Sequence, residues 1–300
     1  MTKAAADCSF ITFAGLAELD PDDRLAADLL SERGYRVQAV SWDDPAVDWS
    51  AAGTCVIRST WNYHLRYGDF MHWLQRVQSA TQLWNPAPLV RWNADKRYLR
   101  QLGQAGIPIV ETLWLQSHAE ADVAARAALS GWSDVVIKPA VGLATFGTRR
   151  ANLAAGDLSA VQSHVDRLLQ DGAVLVQPYM TSVERYGERA LVFIDGRYSH
   201  AVRKTAFQQL LPAGEAGETS VEAAPEEIDL AARVINCIDG PTLYARVDLV
   251  RDDAGAPRLI ELELIEPSLF FGLCKPAAQG FADALERLMQ PRPKAHERAG

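Results

Sequence analysis

Cysteine is scarce in this chain of 300 residues, and the four present, Cys8, Cys55, Cys237 and Cys274, lie far apart without a C-x-x-C pair. Neither a disulfide framework nor a structural zinc site is expected; free buried thiols in a reducing cytosol fit best. No run of 18 apolar residues occurs, so no membrane-spanning helix is expected. The start, MTKAAADCSF, has one lysine and no apolar core, so a secretory signal is not expected and a cytoplasmic setting is. Basic residues (30) are outnumbered by acidic ones (38), the net charge is −8, and no basic stripe appears. Nucleic acid and membrane are therefore not expected partners, and any anionic ligand needs local positive charge only. A P-loop is missing too: no GKS or GKT follows a glycine-rich stretch. There is no convincing nucleophile triad and no internal repeat. What remains is an ordinary globular composition, 48% hydrophobic and 23% charged, long enough for two or three small units.

The first third alternates strand and helix. Residues 7–17 read as strand and turn. Asp20 caps and Pro21 opens a helix striped by Leu25, Leu29 and Leu30, which Gly34 stops. Strands at 35–42 and 54–59, a helix over 69–80 and a short strand at 82–85 follow. This order implies a parallel sheet covered on both sides, with ligands at the carboxyl ends of its strands. Arg58 stands at such an end, ahead of Ser59, Thr60, Trp61, Asn62, Tyr63 and His64. The loop reads either as packed by its own rings or as a substrate rim with Arg58 facing a carboxylate. Exposed Trp and Tyr here would serve a homodimer interface as readily as a pocket.

A helix is expected over 93–106, capped by Asn93 or Asp95. Lys96 lies in its first turn, against the helix dipole and suited to an anion. A strand at 109–115 and an alanine-rich helix at 119–130 lead to DVVIKPAVGLATFGTR (134–149). Residues 135–137 favour a strand, Lys138 ends it, and the small residues 139–147 can fold over phosphates with N–H groups towards the oxygens. The other reading is a surface turn with a snorkelling lysine. Next come a helix over 157–169 and a strand at 173–180. Its Pro178 lacks a donor and leaves neighbouring groups for a purine edge. A hairpin at 187–200 turns on Asp195-Gly196. An acidic excursion at 212–229, a helix at 226–237, strands at 243–250 and 258–265, a helix at 281–290 and a frayed tail complete the chain.

Period-2 alternation in the last two strands is the sharpest signal. Ile260, Leu262 and Leu264 share one face, Glu261 and Glu263 the other; Arg246 and Asp248 oppose Val247 and Leu249. Antiparallel pairing would gather Asp248, Glu261 and Glu263. Either this face is simply solvated, with Glu266 in the same acidic patch, or a cation sits among the carboxylates. Mg2+ held together with substrate phosphates suits such oxygen ligands. With Lys96, Lys138 and Lys204, the set meets the needs of a magnesium nucleoside triphosphate.

The ordered pieces NADK (93–96), VVIKPAVGLATFG (135–147), VQPYM (176–180), YGERALVFIDG (186–196), VRK (202–204), ARVD (245–248) and IELE (260–263) resemble the ATP-grasp superfamily, the fold of D-alanine–D-alanine ligase and glutathione synthetase. The resemblance runs from about residue 91 to 267. It implies an α/β N-terminal domain with a parallel sheet (1–92) and two α+β subdomains (93–177 and 178–290) forming an ATP-grasp fold, with a flexible tail (291–300). It also implies ATP and Mg2+ as cofactors. Lys96 and Lys138 would contact phosphates, and the loop holding Gly142, Thr145, Phe146 and Gly147 would close over them. Gln177, Pro178, Tyr179 and Met180 would form the adenine hinge, Tyr179 and Met180 through backbone groups. Glu188 or Glu184 would hold the ribose. Lys204 and Arg246 would face the γ-phosphate, Arg203 would steady an acyl phosphate, and Asp248, Glu261 and Glu263 would hold the metal. Many members carry Asn where this chain has Glu263.

The implied chemistry is activation of a carboxylate as an acyl phosphate, then attack by nitrogen. The short length and RSTWNY (58–63) are similar to a small bacterial group of cyclo-ligases that close the ring of D-cycloserine from O-ureido-D-serine. The substrate would then be a small zwitterion in a pocket lined by Arg58, Trp61, Asn62 and Tyr63. A ligase joining two separate molecules, amino acids or small peptides, would share these motifs. So would an ATP-binding module without ligase activity.

Overall fold

The computed structural model describes residues 6–16, 18–118, 122, 127, 131–156, 158–205 and 217–289. The expected helix over 119–130 lies almost wholly outside them, as do 206–216 and the tail from 290. Three sheets carry the described chain. The first contains β1 (Cys8–Thr12), β2 (Val37–Ser41), β3 (Thr54–Ile57) and β4 (Leu83–Trp84), in the order β2-β1-β3-β4 and all parallel. Asp20 caps the helix Pro21–Glu32 through Oδ1, which accepts from Asp22 N at 2.9 Å. The helix Tyr67–Ala80 buries Phe70, Trp73, Leu74 and Val77. Phe70 and Trp73 stack with centroids 5.1 Å apart, and Trp42 meets Phe70 edge-on at 5.2 Å. Trp42, Tyr63 and Trp73 belong to this core, whereas Trp61 is half-buried. Cys8 and Cys55 are buried free thiols, Cys55 pushed up to about 12 by burial, whereas Cys237 is exposed.

The second sheet holds β5 (Leu113–Leu115), β6 (Asp134–Pro139), β7 (Arg149–Asn152) and β8 (Val174–Pro178), antiparallel in the order β5-β8-β6-β7. The third holds β9 (Glu188–Ile194), β10 (Arg197–Lys204), β11 (Glu218–Val221), β12 (Tyr244–Arg251) and β13 (Pro257–Glu263), antiparallel in the order β11-β10-β9-β12-β13. β11 occupies part of the stretch expected to be a loose excursion.

The strand bearing two of the expected metal ligands, β13, is an edge strand, and the outer edge is bonded at Leu259, Leu262 and, just past its end, Leu264. Asn93 Nδ2 donates to Leu262 O and Asn93 Oδ1 accepts from Leu264 N, each at 2.8 Å. The Tyr98 hydroxyl bridges Leu262 N and O, and Leu259 exchanges bonds with Pro108 O and Val110 N at 2.9 Å. The side chains of Asn93 and Tyr98 and the backbone at 108–110 thus stand in for a neighbour strand and hold β13 in place. This use of Asn93 breaks the helix expected over 93–106. One helix, Ala87–Asn93, ends at that residue; a turn carries Lys96; a second helix, Tyr98–Gln104, follows.

The register pairs Arg246 with Glu263 and Asp248 with Glu261, then slips so that Leu249 faces Leu259. The extra residue, Ile260, is a bulge, which inverts the alternation on one side of it. Leu259 therefore joins Leu262 and Leu264 in the core, and Ile260 turns to the cleft beside Glu261. The shared face expected for Ile260, Leu262 and Leu264 is corrected accordingly.

Candidate active site

Two adjoining cavities, of about 180 Å³ and about 340 Å³, open where the second and third sheets face each other. Val136 and Lys138 of β6, Gln177 and Pro178 of β8, and Ile260 of β13 wall the smaller one, with Tyr179 and Met180 at its rim. Trp61, Tyr63, Arg246, Glu263 and Glu266 wall the larger. Lys96, Gly142, Ala144 and Glu261 line both. The cavities therefore meet at one amine, one carboxylate and the small-residue loop.

That loop is fastened at several points. Lys96 N donates to Ala140 O at 2.8 Å, and Lys96 Nζ reaches Gly142 O at 2.6 Å. Gly147 sits at φ +67°, a conformation that favours glycine, and a Cβ there would lie in a tight contact 3.1 Å from Leu168 Cδ2. Gly147 O accepts from His164 Nε2 at 2.9 Å, and Thr145 O accepts from Thr148 N at 3.0 Å. Thr145 and Gly147 shape the loop without lining the cavity; Gly142 and Phe146 line it.

The charges form two ion-paired groups in the cleft, Lys96 with Glu261, and Glu188, Lys204, Asp248, Arg246 and Glu263 together. Lys96 Nζ lies 3.1 Å from Glu261, Lys204 Nζ lies 2.7 Å from Asp248 and also contacts Glu188, and Arg246 grips Asp248 at 2.9 Å and Glu263. Burial alone would raise the Asp248 carboxyl, but Arg246 and Lys204 outweigh it and hold it well below the usual range. Glu261 is likewise held low by Lys96 and Lys138 against its own burial. Burial pulls the Lys138 ammonium below its ordinary value, with Glu261 opposing. Glu263 goes the other way: burial, reinforced by Asp248 and Glu261, raises it to about 7 despite Arg246. This acid binds its proton more tightly folded than unfolded, so its ionisation costs stability as pH rises from its ordinary range to about 7. Compared with wild type, ligand-free Glu263→Gln should gain in melting temperature through that window and hold the gain above it. A gap that does not change with pH would refute the assignment.

The structure corrects several expectations. Arg58 does not face a substrate: its side chain is 1% exposed and paired with Asp23 at 2.8 Å. Asn62 spends its amide on Trp42 Nε1 and Asp43. Only Trp61 and Tyr63 of that loop line the larger cavity. Arg203 points away, donating to Tyr186 O and Arg185 O, and lines neither cavity. Glu184 is tied to Tyr179 Oη and Arg150, whereas Glu188 lines the smaller cavity. Tyr179 N–H is committed to Asp134 O at 2.8 Å. Asp248 is fully buried, and among the described residues no three His, Cys, Asp or Glu side chains converge as a ready metal site. Glu266, Asn93 and Ser268 on the larger cavity had no such role in the sequence reading; Glu266 falls out of step with the period-2 pair.

Residues 8–85 match the family model described as the N-terminal domain of the D-cycloserine synthetase DcsG. The chain is 36% identical over 277 residues to the cycloserine biosynthesis protein DcsG of Streptomyces lavendulae, covering 86% of this chain and 90% of that one. The crystal structure of D-cycloserine synthetase DcsG superposes with a TM-score of 0.83 at 32% identity, covering 94% of this chain and 99% of that one. D-alanyl-alanine synthetase A from Vibrio cholerae shares the fold, with a TM-score of 0.66 at 13% identity, covering 96% and 98% of the two chains. The parallel sheet, the two antiparallel sheets around the cleft and these likenesses together make the chain a member of the ATP-grasp carboxylate–amine ligases, in the family of DcsG.

Proposed function

We propose that this ligase uses ATP and Mg2+ to activate the carboxylate of a small amino acid and closes a ring within that molecule, converting O-ureido-D-serine to D-cycloserine. The reading rests on one observation above all: the two cavities share Lys96, Gly142, Ala144 and Glu261, so a triphosphate in one would point at a carboxylate in the other. Adenine would lie against Val136, Met180 and Ile260. Tyr179 N–H being taken, the Met180 N–H is the hinge donor, and Glu188 rather than Glu184 would hold the ribose. Lys96, Lys138 and Lys204 would neutralise the phosphates.

The carboxylates fit a magnesium ion. Burial, reinforced by the negative charge of Asp248 and Glu261, raises Glu263 to about 7 despite Arg246, so a further cation beside Glu261 and Glu263 would be favoured. Glu261 and Glu263 would bind the ion together with phosphate oxygens, a usual arrangement for Mg2+. Bound there, it would offset charge on the phosphates. Asp248 would act on the cations instead, fixing Lys204 and Arg246. The substrate carboxylate displaces ADP from the γ-phosphorus. The ureido nitrogen bonded to oxygen then displaces phosphate and closes the ring. Atom balance requires that the carbamoyl group leave by hydrolysis, as carbon dioxide and ammonia. The enzyme's own groups position the reactants and exclude water from the acyl phosphate.

Likeness to the cycloserine biosynthesis protein at 36% identity and to D-cycloserine synthetase at 32% supports this substrate, as does a small second cavity with two aromatic side chains. A cytoplasmic setting, without a nucleic-acid or membrane partner, goes with the reading. Incubation with ATP, Mg2+ and O-ureido-D-serine should give cycloserine and ADP in equal amounts. No ADP above background would reject ring closure. ADP released only after a separate amine is added would point to a ligase joining two molecules.

A further inference from the structure

Glu266 has no part in the chemistry above, yet its setting demands an explanation. The residue is 8% exposed and lines the larger cavity beside Tyr63 and Ser268. Its Oε2 is buried without a hydrogen-bond partner, and no lysine or arginine among the described residues pairs with it. The nearest candidates are committed elsewhere: Arg246 to Asp248 and Glu263, and Lys96 to Glu261. The backbone beneath it is pinned, since Arg58 Nη2 donates to Pro267 O at 2.8 Å and Arg246 Nη1 to Ser268 O at 3.3 Å. A buried carboxylate without a partner is costly and is kept at a fixed place only against its own desolvation.

We infer that Glu266 receives the α-ammonium group of the substrate, so that the larger cavity selects an α-amino carboxylate over the same molecule without its amine. Position separates this role from metal binding. Glu261 borders both cavities and Glu263 stands two residues along on the same strand face, so a cation held with the triphosphate belongs with that pair, whereas Glu266 lies past the end of β13 on the larger cavity only. An ammonium donates up to three hydrogen bonds and supplies the charge that Glu266 lacks. Burial, reinforced by Glu263, raises this carboxyl well above its ordinary range, and a cation beside it would reverse that.

The inference rests on the larger cavity being the amino-acid half of the ligase site, and the test separates the two. ADP release is measured for wild type and Glu266→Gln with O-ureido-D-serine and with its des-amino analogue, β-(ureidooxy)propanoate. Wild type should prefer the amino compound by about 10²-fold or more in kcat/KM. Glu266→Gln should bring that ratio close to one, mainly through KM, with the ATP and Mg2+ dependences unchanged, and Glu266→Asp should keep most of it. The ligand-free glutamine variant should also melt higher than wild type, because an unpaired buried acid has been removed; a carboxylate kept for structure would make it melt lower. A retained preference, a shifted Mg2+ dependence or a lowered melting temperature would each overturn the assignment. If wild type is inert towards both compounds, ring closure is refuted on its own. Glu266 is then judged by whether free D-serine, with a non-hydrolysable ATP analogue and Mg2+, raises the melting temperature of wild type but not of Glu266→Gln; no rise in wild type overturns it.

Discussion

Glu261→Gln should lower ATP-dependent turnover by about 10²-fold to 10³-fold while the protein stays folded. Glu261 pairs in register with Asp248, lies 3.1 Å from Lys96 Nζ and borders both cavities. Glutamine keeps the shape and loses one negative charge. On the proposed reading that charge holds the metal against the phosphates, so its loss weakens an interaction needed most as phosphoryl transfer proceeds. The same charge also neutralises Lys96 and Lys138 in the empty cleft. Removing it leaves more positive field for a bare triphosphate. ATP without Mg2+ should therefore bind the variant at least as tightly as wild type, and the gain normally given by Mg2+ should shrink. Calorimetry with and without Mg2+, beside an ADP-release assay, reads both effects. Normal turnover at ordinary Mg2+ would remove Glu261 from the metal site.

The acidic face could be read from the sequence because β-strand alternation is local: Arg246 and Asp248, Glu261 and Glu263 each stand two apart; their pairing across the strands comes from the bulge, since the register at the turn alone would set Asp248 opposite Ile260. Lys96, Lys138 and residues 177–180, which all line the smaller cavity, stood out for a related reason, each closing or preceding a strand or helix with a clear apolar pattern. The same rule, applied to β10, already divides Arg203 from Lys204: neighbours on a strand face opposite ways, and only Lys204 reaches Asp248. Other features depend on long-range fit. The bulge at Ile260 leaves no mark in composition. β7 and β11 are four residues each, RRAN and ETSV, with no apolar alternation, and exist because a neighbouring strand offers an edge. Glu266 lies beyond the last strand, where period-2 reasoning no longer says which way a side chain points.

Arg58→Met should cost about 3–5 kcal/mol of stability, read as a lower urea midpoint, because it strands Asp23 as a buried unpaired charge. The sequence put Arg58 opposite a carboxylate, and the carboxylate proves to be the protein's own, 35 residues earlier. Arg58 Nε meets Asp23 Oδ1 at 2.8 Å, Ser59 Oγ meets Asp23 Oδ2 at 2.7 Å, and the guanidinium lies 4.8 Å from the Tyr244 ring centroid. Its remaining bond, to Pro267 O, joins the end of β3 to the segment that follows β13. The residue thus fastens the first sheet to the turn behind Glu263 and Glu266. Removing both charges is a different matter from removing one. Asp23→Asn combined with Arg58→Met leaves no lone charge inside and should recover part of the loss, a non-additivity expected of direct partners. At a temperature where the single variant is folded, its KM for the amino-acid substrate should stay within a few-fold of wild type. A substrate-facing arginine predicts the reverse: a large rise in KM, an unchanged urea midpoint, and no rescue from Asp23→Asn.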